Sequence, residues 1–142
     1  MCNFSGLQVN LLVTFSNIVG VIGVWYCSGL TQFILGFSVV TSILMHISEQ
    51  NMNLPGVSPF NKYSSTFLWF DRIAAYIAGL YALYHIHNMT FTLAIMAICS
   101  VVCGFLSLVA VITHNWNYYI ITHGLWHILV YSVFLALTKQ PL

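Results

Sequence analysis

The sequence predicts an all-α, polytopic transmembrane bundle of about five spanning helices, a single domain over residues 1–142. Three observations carry that expectation. Hydrophobic residues make up 60% of the chain and charged residues only 4%, against about 25% charged in an ordinary soluble domain. The mean hydropathy is +0.91. Apolar stretches of about the 20 residues that cross a bilayer recur between short polar breaks.

The first span is expected at about 7–27 and contains "LLVTFSNIVGVIGVWYC". The preceding "MCNFSGLQVN" has no basic segment and no small-residue cleavage site follows, so a retained helix is expected rather than a removed signal peptide. Gly20 and Gly23 suit close helix packing. A short turn at Ser28-Gly29 leads to the second span, about 30–47, which closes in "SILMHISEQ". The polar connection "EQNMNLPGVSPFNKYSST" follows, too long for a tight turn and expected at the membrane surface. The third span, about 68–87, opens at "FLWFDRIAAYI", with Asp71 and Arg72 at its start and Trp69 and Phe70 fit for an interfacial belt. "HNMT" turns the chain into the fourth span, about 91–112, which holds no charged residue. "THNWNYY" is the last break, and the fifth span runs over about 118–137.

The composition also narrows function. Three basic residues scattered along the chain form no run able to grip phosphate, so no nucleic-acid partner is expected. Cys2, Cys27, Cys99 and Cys103 form no Cys-x-x-Cys pair and read as small apolar helix residues.

Sidedness brings distant residues together. The second span ends on the face where the chain begins. The third span starts there, and so does the fifth. His46, Asp71 and the pair His123/His127 therefore fall at one membrane depth. A four-residue step turns a helix about 40° past a full turn and rises about 6 Å. His123 and His127 thus project from one face, at the spacing of the paired histidines in His-Glu-x-x-His zinc enzymes, although Gly124 stands where the glutamate would be. A catalytic zinc wants three protein ligands and an open position, and His46 is the natural third. Ser38, Ser42 and His46 make a polar stripe on the second helix, with Ser42 one turn before the histidine. Its hydroxyl is placed to reach a metal-activated water or a reacting carbonyl. Asp71 is placed to accept a hydrogen bond from that water or from a ligand histidine.

Plainer readings stand beside these. A membrane histidine can simply hydrogen-bond a neighbouring helix. A membrane serine commonly bonds the carbonyl four residues back. Asp71 could be an interfacial helix N-cap. Trp126 reads as packing or an interfacial anchor. His85 and His87 lie at the opposite end, and His114 sits in a polar break. A haem site on His114 and His127 lacks a matching histidine pair on another helix.

With these residues in place, the pattern resembles the superfamily that joins alkaline ceramidases, adiponectin/progestin receptors, hemolysin-III-like proteins and the transmembrane-8/myomaker group. The resemblance rests on "SILMH" (Ser42, His46), "WFDRIAAYI" (Asp71) and "HGLWH" (His123, His127), and covers about 38–137. It implies an intramembrane Zn2+ held by His46, His123 and His127. It also implies a hydrolase of lipid amide or ester bonds, with Ser42 and Asp71 as catalytic residues and membrane lipids as partners. One departure is plain: the family core has seven helices and this sequence offers about five, the shortfall falling between the Asp71 helix and the last. An even loss keeps every motif on its side. The reduced wall points to a second copy of the chain completing the bundle. The myomaker-like branch, whose Trp-x-Tyr pattern Trp116 and Tyr118 resemble, supplies the alternative: a non-catalytic membrane protein that keeps the zinc for structure.

The basic residues Lys62 and Arg72 on one side and Lys139 on the other lean weakly toward a cytosolic N-terminal side. The glycosylation sequons at Asn3 and Asn88 fall on opposite sides and do not decide it.

Overall fold

A computed structural model describes residues 6–49 and 56–138. Cys2, the Asn3 sequon, part of the long polar connection and Lys139 lie outside the described residues. Helices account for every regular element among those described: α1 (Gly6–Phe15), α2 (Ile18–Tyr26), α3 (Gly29–Ser48), α4 (Ser64–Tyr84), α5 (Phe91–Ile112) and α6 (Trp116–Thr138).

The first expected span is two helices in line. The interruption has a local cause. Thr14 Oγ1 donates to Asn10 O at 2.7 Å, Ser16 Oγ to Val13 O at 2.6 Å and Asn17 Nδ2 to Thr14 O at 3.2 Å. Polar side chains that bond the preceding turn compete with the helical ladder and bend it. The same bonds keep the freed carbonyls satisfied, which an apolar surrounding demands. Asn17 then docks the break onto α6, its Oδ1 accepting from Tyr131 Oη at 2.7 Å.

Past the break, α2 lies close against its neighbours. A Cβ on Gly20 would sit 2.5 Å from Val39 Cγ2, and one on Gly23 would sit 2.7 Å from Leu135 Cδ1. Only glycine lets α2 approach both α3 and α6 this closely. The turn into α3 uses Gly29 at φ 58°, a left-handed backbone that glycine adopts without steric cost.

Helix α4 begins at Ser64, four residues before the expected 68, after a 3-10 turn at Phe60–Tyr63. Asp71 therefore lies two turns inside the helix and is not its N-cap. The helix ends at Tyr84, and Ile86–Asn88 form a further 3-10 turn. That turn is tied to the end of α6, because Asn88 Nδ2 donates to Leu137 O at 2.8 Å. The amide of the Asn88 sequon is thus already engaged.

The junction between α5 and α6 is tighter than "THNWNYY" suggested. His114 takes a left-handed φ of 52°, and Asn115 N bonds back to Ala110 O at 2.9 Å. This six-to-one closure is the usual way a helix ends around a left-handed residue. Asn115 Oδ1 then accepts from Tyr118 N at 3.2 Å, capping the new helix. So α6 starts at Trp116, two residues before the expected 118.

In the bundle, α3 packs against α1, α2 and α4, while α6 packs against α1, α2 and α5 and only lightly against α4. Two apolar cores result. One joins Val9 and Val13 to Ala110 and Tyr119; the other joins Ile34, Leu35 and Val39 to Tyr131 and Phe134. Most other large apolar side chains face outward, among them Phe33, Leu80, Phe91 and Val101. Four segments are long and apolar enough to cross a membrane: Gly6–Tyr26, Gly29–Ser48, Phe91–Ile112 and Trp116–Thr138. Helix α4, expected as a fifth, is equally long but is not among them. Ser64, Ser65, Thr66, Asp71 and Arg72 dilute its hydrophobicity.

Candidate metal centre

Near the end of α3 and in the first half of α6, three histidines converge. His46, His123 and His127 offer ligand nitrogens that all lie within 4.8 Å of one another. Their ring centroids are 4.7–5.2 Å apart, each pair edge-on. His46 and His127 are 1% and 2% exposed. Helix periodicity puts His123 and His127 on one face of α6, and the packing of α3 beside that face brings His46 to them.

The outward ring nitrogens reveal how the imidazoles are held. His127 Nδ1 lies 2.7 Å from Ser16 Oγ, whose own proton is donated to Val13 O at 2.6 Å. His123 Nδ1 lies 3.3 Å from Ser107 Oγ, whose proton is donated to Gly104 O at 2.8 Å. Each hydroxyl has therefore spent its one hydrogen and can only accept. The third outward nitrogen, His46 Nδ1, faces the Glu49 carboxylate at 3.5 Å. His127 and His123 thus take the Nδ1–H tautomer, assigned from these bonds, the carboxylate facing His46 Nδ1 favours the same form there, and Nε2 lone pairs turn inward.

That assignment has a consequence inside the cluster. His46 Nε2 and His123 Nε2 are 3.2 Å apart. With both protons on Nδ1, no hydrogen is available to bridge them. Two lone pairs at this separation, away from water, repel unless a positive charge sits between them. Neutral imidazoles presenting Nε2, with a hydroxyl or carboxylate behind each, form the donor set that zinc takes. The residues therefore fit the ion.

Ser42 joins the group directly: its Oγ lies 3.4 Å from His127 Nε2. Asp71 does not. Among the described residues it makes no hydrogen bond to the three imidazoles, but it lines the same cavity as Ser42 and His127. That cavity, about 240 Å3, runs between α3, α4 and α6, from Ser42 and Asp71 past Leu35 and Val130 to Ala82 and Phe134. On α4 it follows Asp71 to Ala82, about 16 Å at the helical rise. Ser38 also reaches it, donating to Ala74 O at 3.4 Å.

The remaining histidines stay apart. His85 is buried at the opposite end among Tyr81 and Tyr84, near His87. His114 is exposed beside Trp116, while His127 is buried against His46 and His123. Trp126 packs on α5, 3.2 Å from where a Cβ on Gly104 would stand. Cys99 and Cys103 are free thiols on α5.

Sequence reasoning missed Ser16, Ser107 and Glu49. Glu49 carried a signal, since it follows His46 by three residues and so shares its side of the helix. Ser107 carried a fainter one, its depth in the fourth span. Ser16 carried none, because the break that aims it is invisible in an apolar run. Comparison of the sequence with family models and curated proteins, and of the fold with solved structures, finds no match. The functional reading rests on the geometry itself.

Proposed function

We propose that this chain is a multi-pass integral membrane protein that holds zinc on His46, His123 and His127 and hydrolyses an amide or ester bond of a membrane lipid. The observation that carries the reading is the histidine trio, buried at His46 and His127 and half-buried at His123, whose ligand nitrogens all lie within 4.8 Å of one another. When bound, zinc supplies Lewis acidity and an activated water at neutral pH. The chain's own groups do the rest. Asp71, in the wall of the cavity, accepts and returns a proton. The Ser42 hydroxyl donates toward the developing oxyanion. The apolar cavity beyond them accommodates a hydrocarbon chain and sheds water.

The test pairs metal analysis of the detergent-purified protein with a screen of ceramides and phospholipids. The expected outcome is close to one zinc per chain and hydrolysis of at least one lipid class. His123→Ala should lose both. A protein without zinc, or with zinc unaffected by the substitution, would defeat the metal reading.

A structural role for the ion has one observation in its favour: the ligands join α3 to α6 across 77 residues of sequence. Zinc without turnover of any lipid, together with loss of folding on chelation, would select that reading.

A further inference from the structure

We infer that Ser16, Ser107 and Glu49 are positioning residues that fix the tautomer of each ligand histidine, and so set the affinity of the centre for its metal. The inference rests on the zinc reading above and goes beyond the ligands themselves. Each contact comes from a different element. Ser16 lies in the break between α1 and α2, 2.7 Å from His127 Nδ1. Ser107 lies on α5, 3.3 Å from His123 Nδ1. Glu49 follows α3, 3.5 Å from His46 Nδ1.

The direction of the bonds is what makes these residues specific. Both serines already donate to a carbonyl three residues back. An acceptor-only hydroxyl beside Nδ1 admits the Nδ1–H form and disfavours the Nε2–H form, which would block the metal. A carboxylate beside His46 acts in the same sense and adds negative charge behind the imidazole. His46 Nδ1 and Glu49 Oε2 are both buried without a hydrogen-bond partner, and they face each other at 3.5 Å.

Removing such a partner commonly lowers metal affinity about 10–100-fold. The experiment measures zinc affinity by competition with a chromophoric chelator, and the d–d absorption of the cobalt(II)-loaded protein. Ser107→Ala, Ser16→Ala and Glu49→Gln should each weaken zinc binding by that factor and alter the cobalt spectrum. Ser107→Thr, which keeps the hydroxyl, should restore both. Ser100→Ala is the matched control. Ser100 is equally buried on α5 and makes the same backward bond, to Ala97 O, so its loss should leave affinity and spectrum unchanged. Wild-type affinity and spectrum in Ser16→Ala and Ser107→Ala would overturn the inference while leaving the zinc site standing. Equal losses in Ser107→Ala, Ser107→Thr and Ser100→Ala would also overturn it, because packing would then be the cause. A wild-type protein that binds neither metal would remove both the site and its supports.

Discussion

At the scale of residues, the proposed reading divides the centre into groups that would bind, groups that would react and groups that would hold. His46, His123 and His127 present nitrogens; Ser42 and Asp71 line the cavity; Ser16, Ser107 and Glu49 stand behind the rings. The proposal assigns Asp71 to proton transfer alone, since it makes no bond to the imidazoles. Asp71→Asn should therefore keep its zinc and lose turnover by about 10²–10⁴-fold, the usual worth of a general acid–base. Metal content and lipid hydrolysis measured on one preparation check this, and zinc lost along with activity would refute the assignment. The three clustered histidines were legible because histidine is costly in an apolar helix, so its presence and spacing carry information. The supporting serines were not. A serine on an apolar helix satisfies itself on the preceding turn, as Ser100 does, and only its depth in the span separates Ser107 from it.

At the scale of elements, the break at Ser16 and Asn17 is the clearest departure from expectation. Hydropathy reads residues 7–27 as one rod. What divides it is three side chains, Thr14, Ser16 and Asn17, each bonding a carbonyl of the turn before. Asn17 then spends its oxygen on Tyr131, one turn beyond His127. Tyr131→Phe would leave that buried oxygen without a donor, costing about 1–3 kcal/mol. Thermal unfolding in detergent should show the lower midpoint. Adding Asn17→Ala should cost less than the two single changes summed, because the pair shares one bond. Additive losses would show that the bond carries no coupling. The boundaries of α4 were misread for a related reason. Ser64 to Thr66 look like loop composition, yet they form the first turn of a helix whose later residues are strongly apolar.

At the scale of the molecule, the fold class was the most legible feature, since composition alone forces apolar surface outward. Cys99 is exposed on α5, a helix with no charged residue. In a variant keeping only this cysteine, sealed vesicles should protect it from a charged maleimide and leave it open to a lipid-soluble one. Equal labelling by both would place α5 in water. The number of spanning helices was less legible, because α4 trades hydrophobicity for Asp71, Arg72 and three hydroxyls.

The centre also sets a schedule. Its contacts begin at Ser16 and its last histidine is His127, so the cluster reaches across most of the polypeptide. During synthesis the first helices emerge with one of the three histidines, His46, and no partner for it. On the zinc reading, an ion could be captured only after α6 has left the ribosome and settled beside α3. Metal loading would then be the last act of assembly, and a chain stalled before residue 123 would carry none.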